Sequence, residues 1–125
     1  MVRLLLFALT LTAVSADQAT DTCGDNLPRY VIGCWQILER ADEAAAVATL
    51  SAYADAGFTA FDTADIYGRS ESVLGRLRAA GVQPTVHTKY VTSASTMSEA
   101  RRINAQSSSA LGATPDLVAF HCTRP

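Results

Sequence analysis

Between Tyr30 and His121 short apolar runs alternate with longer amphipathic segments, and this alternation constrains the fold more than any other feature. "YVIGCW" is an apolar run closed by Gly33, which predicts a strand at Tyr30–Ile32. "ADEAAAVATLSAYADAG" sets Val47, Leu50 and Ala54 at helical spacing, and Gly57 is a natural stop. A helix from Asp42 to Ala56 is therefore expected. "FTAFD" reads as a strand ending at Asp62. A second helix fits Ser70–Ala80, with Val73, Leu74 and Leu77 on one stripe and Gly81 behind it. "TVHTK" predicts a strand over Thr85–Lys89, after Pro84. Thr96-Met97-Ser98-Glu99 has the form of a capping box and opens a third helix that runs to Leu111, before Gly112. "LVAFH" closes the series as a strand over Leu117–His121.

The order β-α-β-α-β-α-β with short connections implies right-handed crossovers and a parallel sheet. Two α/β architectures fit: a doubly wound open sheet, or part of a (β/α)8 barrel. A complete barrel takes about 250 residues, so this length corresponds to about four β/α units.

The charge pattern narrows the partners. Only 18% of residues are charged, the formal net charge is −2, and Arg101-Arg102 is the one adjacent basic pair. That is no footprint for nucleic acid or an anionic membrane. The N-terminus is different in kind. Arg3 precedes the uncharged run "LLLFALTLTAV", Leu4 to Val14, and small residues follow at Val14-Ser15-Ala16. This is the layout of a secretory signal peptide over residues 1–16, and the run is too short to span a bilayer. Entry into the secretory pathway or secretion, with no membrane association after cleavage, is the expectation; organelle targeting or a cytoplasmic location is the alternative. Residues 17–28 form a polar leader, and residues 29–125 the α/β unit. An oxidising compartment permits one disulfide among Cys23, Cys34 and Cys122, whose spacings match no zinc motif.

In both architectures the chemistry gathers beyond the carboxyl ends of the strands. Asp62, Lys89 and His121 end three successive predicted strands, and Tyr67 lies in the loop after the second. A solvated loop or strand end explains any one of them; three in succession point to a site. The types also suit one another. A free phenol has a pKa of ~10, and a nearby ammonium favours its ionised form. A carboxylate holds such an ammonium in place, and a histidine beside the phenol can orient a carbonyl oxygen. The set is an apparatus for protonating an oxygen. His87 shares a face with Lys89 but lies deeper, and reads as structural. The sequence contains no G-x-S-x-G, H-E-x-x-H, G-x-x-x-x-G-K-[ST] or G-x-G-x-x-G motif.

"GCWQI", "GFTAFDTADIYGRSESVLG", "VHTKY" and "LVAFH", taken in this order, resemble the N-terminal half of an aldo-keto reductase. The resemblance spans Val31 to His121 and favours the barrel over the open sheet. It implies a carbonyl oxidoreductase that binds NADPH without a Rossmann domain and acts on a small aldehyde or ketone. It makes Tyr67 the general acid, Lys89 its partner, Asp62 the carboxylate on that lysine, and His121 the substrate-orienting group. Gly33, Cys34, Trp35 and Asp62 fall at cofactor positions, and Trp35, Tyr67 and His121 at substrate positions. Cys122 departs from the aromatic residue that many members carry after the histidine. The half-barrel also implies two open sheet edges, at the first and fourth strands, through which copies can self-associate. The alternative reading is a catalytically inactive half-barrel that serves as an interaction module.

Overall fold

The computed structural model describes residues 22–23, 27–39, 41–93 and 96–122. The segment read as a signal peptide lies outside them. Within the polar leader, β1 (Thr22–Cys23) pairs antiparallel with β2 (Leu27–Pro28) as a separate two-stranded ladder. The main sheet has four parallel strands in the order β3 (Ile32–Gly33), β4 (Ala60–Asp62), β5 (Thr85–Thr92) and β6 (Leu117–Cys122). Helices α1 (Glu43–Asp55), α2 (Ser70–Ala79) and α3 (Met97–Leu111) connect them. The result is an α/β partial barrel with sequential strand order, the architecture that the family resemblance favours over the open sheet.

Local chemistry sets the helix ends. Asp42 caps α1 by accepting from the Ala45 N–H at 2.8 Å, and Gly57 follows the helix at φ +92°. Thr96 Oγ1 accepts from the Glu99 N–H at 3.3 Å, so that arm of the capping box forms. The carboxylate of Glu99 turns instead to Arg102 Nε at 2.9 Å. Gly112 then ends α3 in the left-handed region.

The core is one layer, between the helices and the rear face of the sheet. Leu50, Phe61, Val73, Leu74, Leu77, Val86 and Leu111 are all fully buried there. Helices α2 and α3 come close because Gly75 has no side chain; a Cβ there would stand 2.3 Å from the Ala110 carbonyl oxygen. Asp116 fixes the start of β6. Its N–H donates to Val86 O, and its carboxylate accepts from the Val86 N–H at 2.7 Å.

All four strands differ from their sequence-based bounds: the second starts at Ala60 and not Phe58, the fourth runs one residue further to Cys122, and the first and third differ more. The first begins at Ile32, because Tyr30 and Val31 stand exposed outside the ladder and the Tyr30 ring meets Phe58 edge-on at 5.9 Å. The third runs beyond Lys89 to Thr92. Its last residues pair with β6, and Asp65 Oδ1 accepts from the Val91 N–H at 3.2 Å. Lys89 is thus an inward residue within a strand and does not end it.

Candidate active site

Side-chain alternation decides which residues reach the inward face. On β5, Val86, Thr88, Tyr90 and Thr92 are buried under helices, while Thr85, His87, Lys89 and Val91 are half-buried on the opposite side. Asp62 lies on the same inward face, opposite His87 in the register. Lys89, two residues further along β5, reaches back across the strand pair. Its Nζ donates to Asp62 Oδ2 at 2.5 Å and to the Thr63 carbonyl at 2.9 Å.

Tyr67 comes to the same place through a tight loop. The Tyr67 N–H donates to Ala64 O and the Ser70 N–H to Tyr67 O, both at 3.1 Å. Gly68 between them sits at φ +60°, a conformation that suits glycine. Lys89 Nζ lies 5.0 Å from the centroid of the Tyr67 ring. Trp35 also lies beside that ring, at 6.3 Å between centroids and with 66% of its surface exposed.

The lysine proton is held more tightly than usual. Burial works against the ammonium, but the hydrogen bond and charge of Asp62 outweigh it, and Tyr67 adds a smaller pull. The Lys89 pKa is therefore raised above its ordinary value. Cys34 behaves in the opposite sense for a site group. Burial, with the Asp62 charge adding to it, pushes its thiol up to about 12 against a smaller lowering by Lys89. At 1% exposure and with no disulfide, Cys34 is a core residue. Its N–H donates to Asp62 O at 2.8 Å and its carbonyl accepts from Ser70 Oγ at 3.2 Å.

The structure therefore brings Trp35, Asp62, Tyr67 and Lys89 together. His121 is exposed on β6 opposite Val91, one inward position beyond Lys89. No hydrogen bond, ion pair or ring contact among the described residues joins it to these four. His87 lies below, at the level of Asp62, as its strand position implies. Gly33 is exposed beside Asp62, and a Cβ there would meet no atom within 4 Å, so the protein's own packing does not demand glycine. A groove of ≈ 360 Å³ opens beside the cluster, lined by Trp35, Ile37, Leu38, Ile66, Tyr67 and Arg69 among others. Among the described residues, no group of three or more His, Cys, Asp or Glu side chains could hold a metal, and no helix is long and apolar enough to cross a membrane.

Three neighbours of the cluster escape sequence reasoning: the Thr63 carbonyl that receives Lys89, the Asp65 carboxylate that extends β5, and Ser70 behind Cys34. Only their place within or beside "DTADIYG" hints at them.

Residues 29–125 match the sequence profile of the Aldo/keto reductase family. The fold is similar to that of Tm1743, a thermostable aldo-keto reductase solved with the inhibitor epalrestat. The TM-score is 0.67 at 20% identity, over 76% of this chain and 39% of that one, a likeness of fold alone. A Pseudomonas aeruginosa chain assigned to the aldo-keto reductases gives 0.66 at 25% identity, over 74% of this chain and 40% of its own length. Another from the same organism gives 0.60 at 27% identity, over 74% and 41%. This chain thus spans about two fifths of the length of these solved relatives. No curated protein matches its sequence.

Proposed function

This chain belongs to the aldo/keto reductase family, and from that premise we propose that its inward cluster protonates the oxygen of a small aldehyde or ketone during NADPH-dependent reduction. The observation that carries this reading is the Lys89–Asp62 pair lying against the ring of Tyr67. Tyr67 gives its phenolic proton to the carbonyl oxygen. The Lys89 ammonium, kept charged by Asp62, stabilises the phenolate as it forms. His121 orients the carbonyl oxygen from β6, and the groove beside Trp35 and Ile66 takes the apolar part of the substrate.

The residues fit the nicotinamide end of the cofactor. Gly33 and the Trp35 ring leave open space at the strand end next to Tyr67, where a flat ring can approach. NADPH, when bound, supplies the hydride that the carbonyl carbon receives. The protein's part is to hold and deliver the proton and to keep the carbonyl at hydride distance.

Tyr67→Phe keeps the ring and removes the proton donor. General acid catalysis contributes ~10²–10⁴-fold, so turnover should fall by about that factor. The assay is NADPH oxidation with an aromatic aldehyde. Wild-type turnover in Tyr67→Phe contradicts the assignment. If the unaltered chain oxidises no NADPH, the second reading prevails: an inactive half-barrel that acts as an interaction module. The exposed side chains of Leu117, Val118 and Phe120 on β6 favour that reading.

A further inference from the structure

The Ser70 hydroxyl sits where three segments meet, on the helix side of the sheet. Ser70 opens α2 and is 2% exposed. Its Oγ lies 3.2 Å from the Cys34 carbonyl and 2.9 Å from Thr63 Oγ1. A carbonyl oxygen only accepts, so the single serine hydrogen goes to Cys34 and Thr63 donates to Ser70. Both backbone polar groups of Cys34 are thereby held, because its N–H already donates to Asp62 O. The next two residues are Trp35 and Gln36, and Gln36 sits at φ +62°, in the left-handed region that a glutamine rarely adopts. Such a conformation persists where its surroundings determine it. Upstream of it, the anchor is the Cys34 backbone. The next residue, Glu71, reaches a side chain of β5. It is 8% exposed and accepts from Thr88 Oγ1 at 2.7 Å, directly before Lys89.

We infer that Ser70 is a positioning residue, whose hydroxyl fixes the Cys34 carbonyl and, through it, the Trp35 indole beside Tyr67. Thr63 stabilises the serine but does not hold the indole. Removing Ser70 leaves the Cys34 carbonyl with only the longer bond from the Ile37 N–H, at 3.4 Å, and loosens the turn that carries Trp35. Removing only the Thr63 hydroxyl leaves the serine donor in place. The consequence for hydride transfer rests on the reductase reading; the placement of the indole does not.

Trp35 is the one tryptophan of the chain, so indole emission reports this position alone. The test is time-resolved fluorescence anisotropy of the full chain and its Ser70→Ala, Ser70→Thr and Thr63→Val variants, with far-ultraviolet circular dichroism to verify folding. The fast local component should grow about two-fold or more in Ser70→Ala. It should keep its wild-type amplitude in Thr63→Val and in Ser70→Thr, which retains a hydroxyl. An unchanged component in folded Ser70→Ala overturns the inference, as does an equal rise in Thr63→Val. If Ser70→Ala does not fold, Ser70→Thr decides: wild-type anisotropy upholds the inference and a loosened indole overturns it. None of these readings needs turnover, so an inactive chain sinks the reductase proposal and leaves this one standing.

Discussion

β5 and β6 are paired along six positions, yet their matching side chains meet different surroundings. Thr88 is 1% exposed and its partner Val118 39%; Tyr90 is 6% exposed and its partner Phe120 56%. Strand pairing alone therefore buries little. The helices on the rear face make the difference, and they cover β3, β4 and β5 but leave β6 open. The same division separates the two faces of β5. Its rear residues build the core, while its inward residues include Lys89, the lysine of the proposed proton relay. The core and the proposed site occupy opposite faces of the same strands.

The largest break in this comparison is expected on the rear face. Phe61 is fully buried and adjoins Asp62 on the opposite side of β4. Phe61→Ala removes a core ring and should cost about 3–5 kcal/mol, read as a lower urea midpoint. A change below 1 kcal/mol, on the order of an ordinary surface substitution, would show that the rear layer does not hold the fold.

Next comes the helix contact. In Gly75→Ala the new methyl meets the Ala110 carbonyl oxygen, a backbone atom that cannot swing aside. Forcing α2 and α3 apart should cost about 1–3 kcal/mol despite the better helix propensity of alanine. Thermal unfolding measures it, and an unchanged midpoint would contradict the close approach.

The inward face should respond to pH more than to packing. The folded state raises the Lys89 pKa, so it binds this proton more tightly than the unfolded chain does. The associated stability is complete below the ordinary lysine value and is lost as pH rises through the raised one. Lys89→Met should cost about 1 kcal/mol at neutral pH, since Asp62 stays partly solvated. It should also flatten the loss of stability above that value relative to the unaltered chain. Parallel alkaline limbs would count against the Lys89–Asp62 pair.

These contrasts also mark what the sequence could tell. Helix stops at Gly57, Gly81 and Gly112 were legible because each glycine follows an apolar stripe and takes positive φ. The parallel sheet followed from the alternation, and the choice of a barrel-type strand order from the family resemblance. The end of β5 did not, because it depends on Asp65, a loop residue whose carboxylate reaches a backbone N–H 26 positions away. Asp62 and Lys89 were legible as charged residues on neighbouring strands, whose alternation brings them together, whereas Tyr67 reaches them through the loop after β4. The side of Cys34 was not legible. A backbone position near the mouth was expected, and both of its polar groups are engaged by Asp62 and Ser70. The rear polar layer of Thr63, Ser70, Glu71 and Thr88 looks like surface chemistry until the strands are paired.

The smallest effect on folding should come from β6, where the largest effect on association is expected. Val118 sits on the rear side of an edge strand and is already 39% exposed, so little is lost from the core when it is replaced. Surface substitutions of this kind stay within about ±0.5 kcal/mol. The open edge of a six-residue strand flanked by Leu117 and Phe120 is also a template for pairing with another copy. Lysine on an edge strand opposes such pairing, because association would bury its ammonium. Val118→Lys should therefore leave the unfolding midpoint in place and shift the sedimentation profile towards the monomer. Equal sedimentation for both proteins across a concentration series would show that β6 is not the self-associating edge. A large loss of stability would show that the rear side of β6 is covered after all, which removes the contrast with β5.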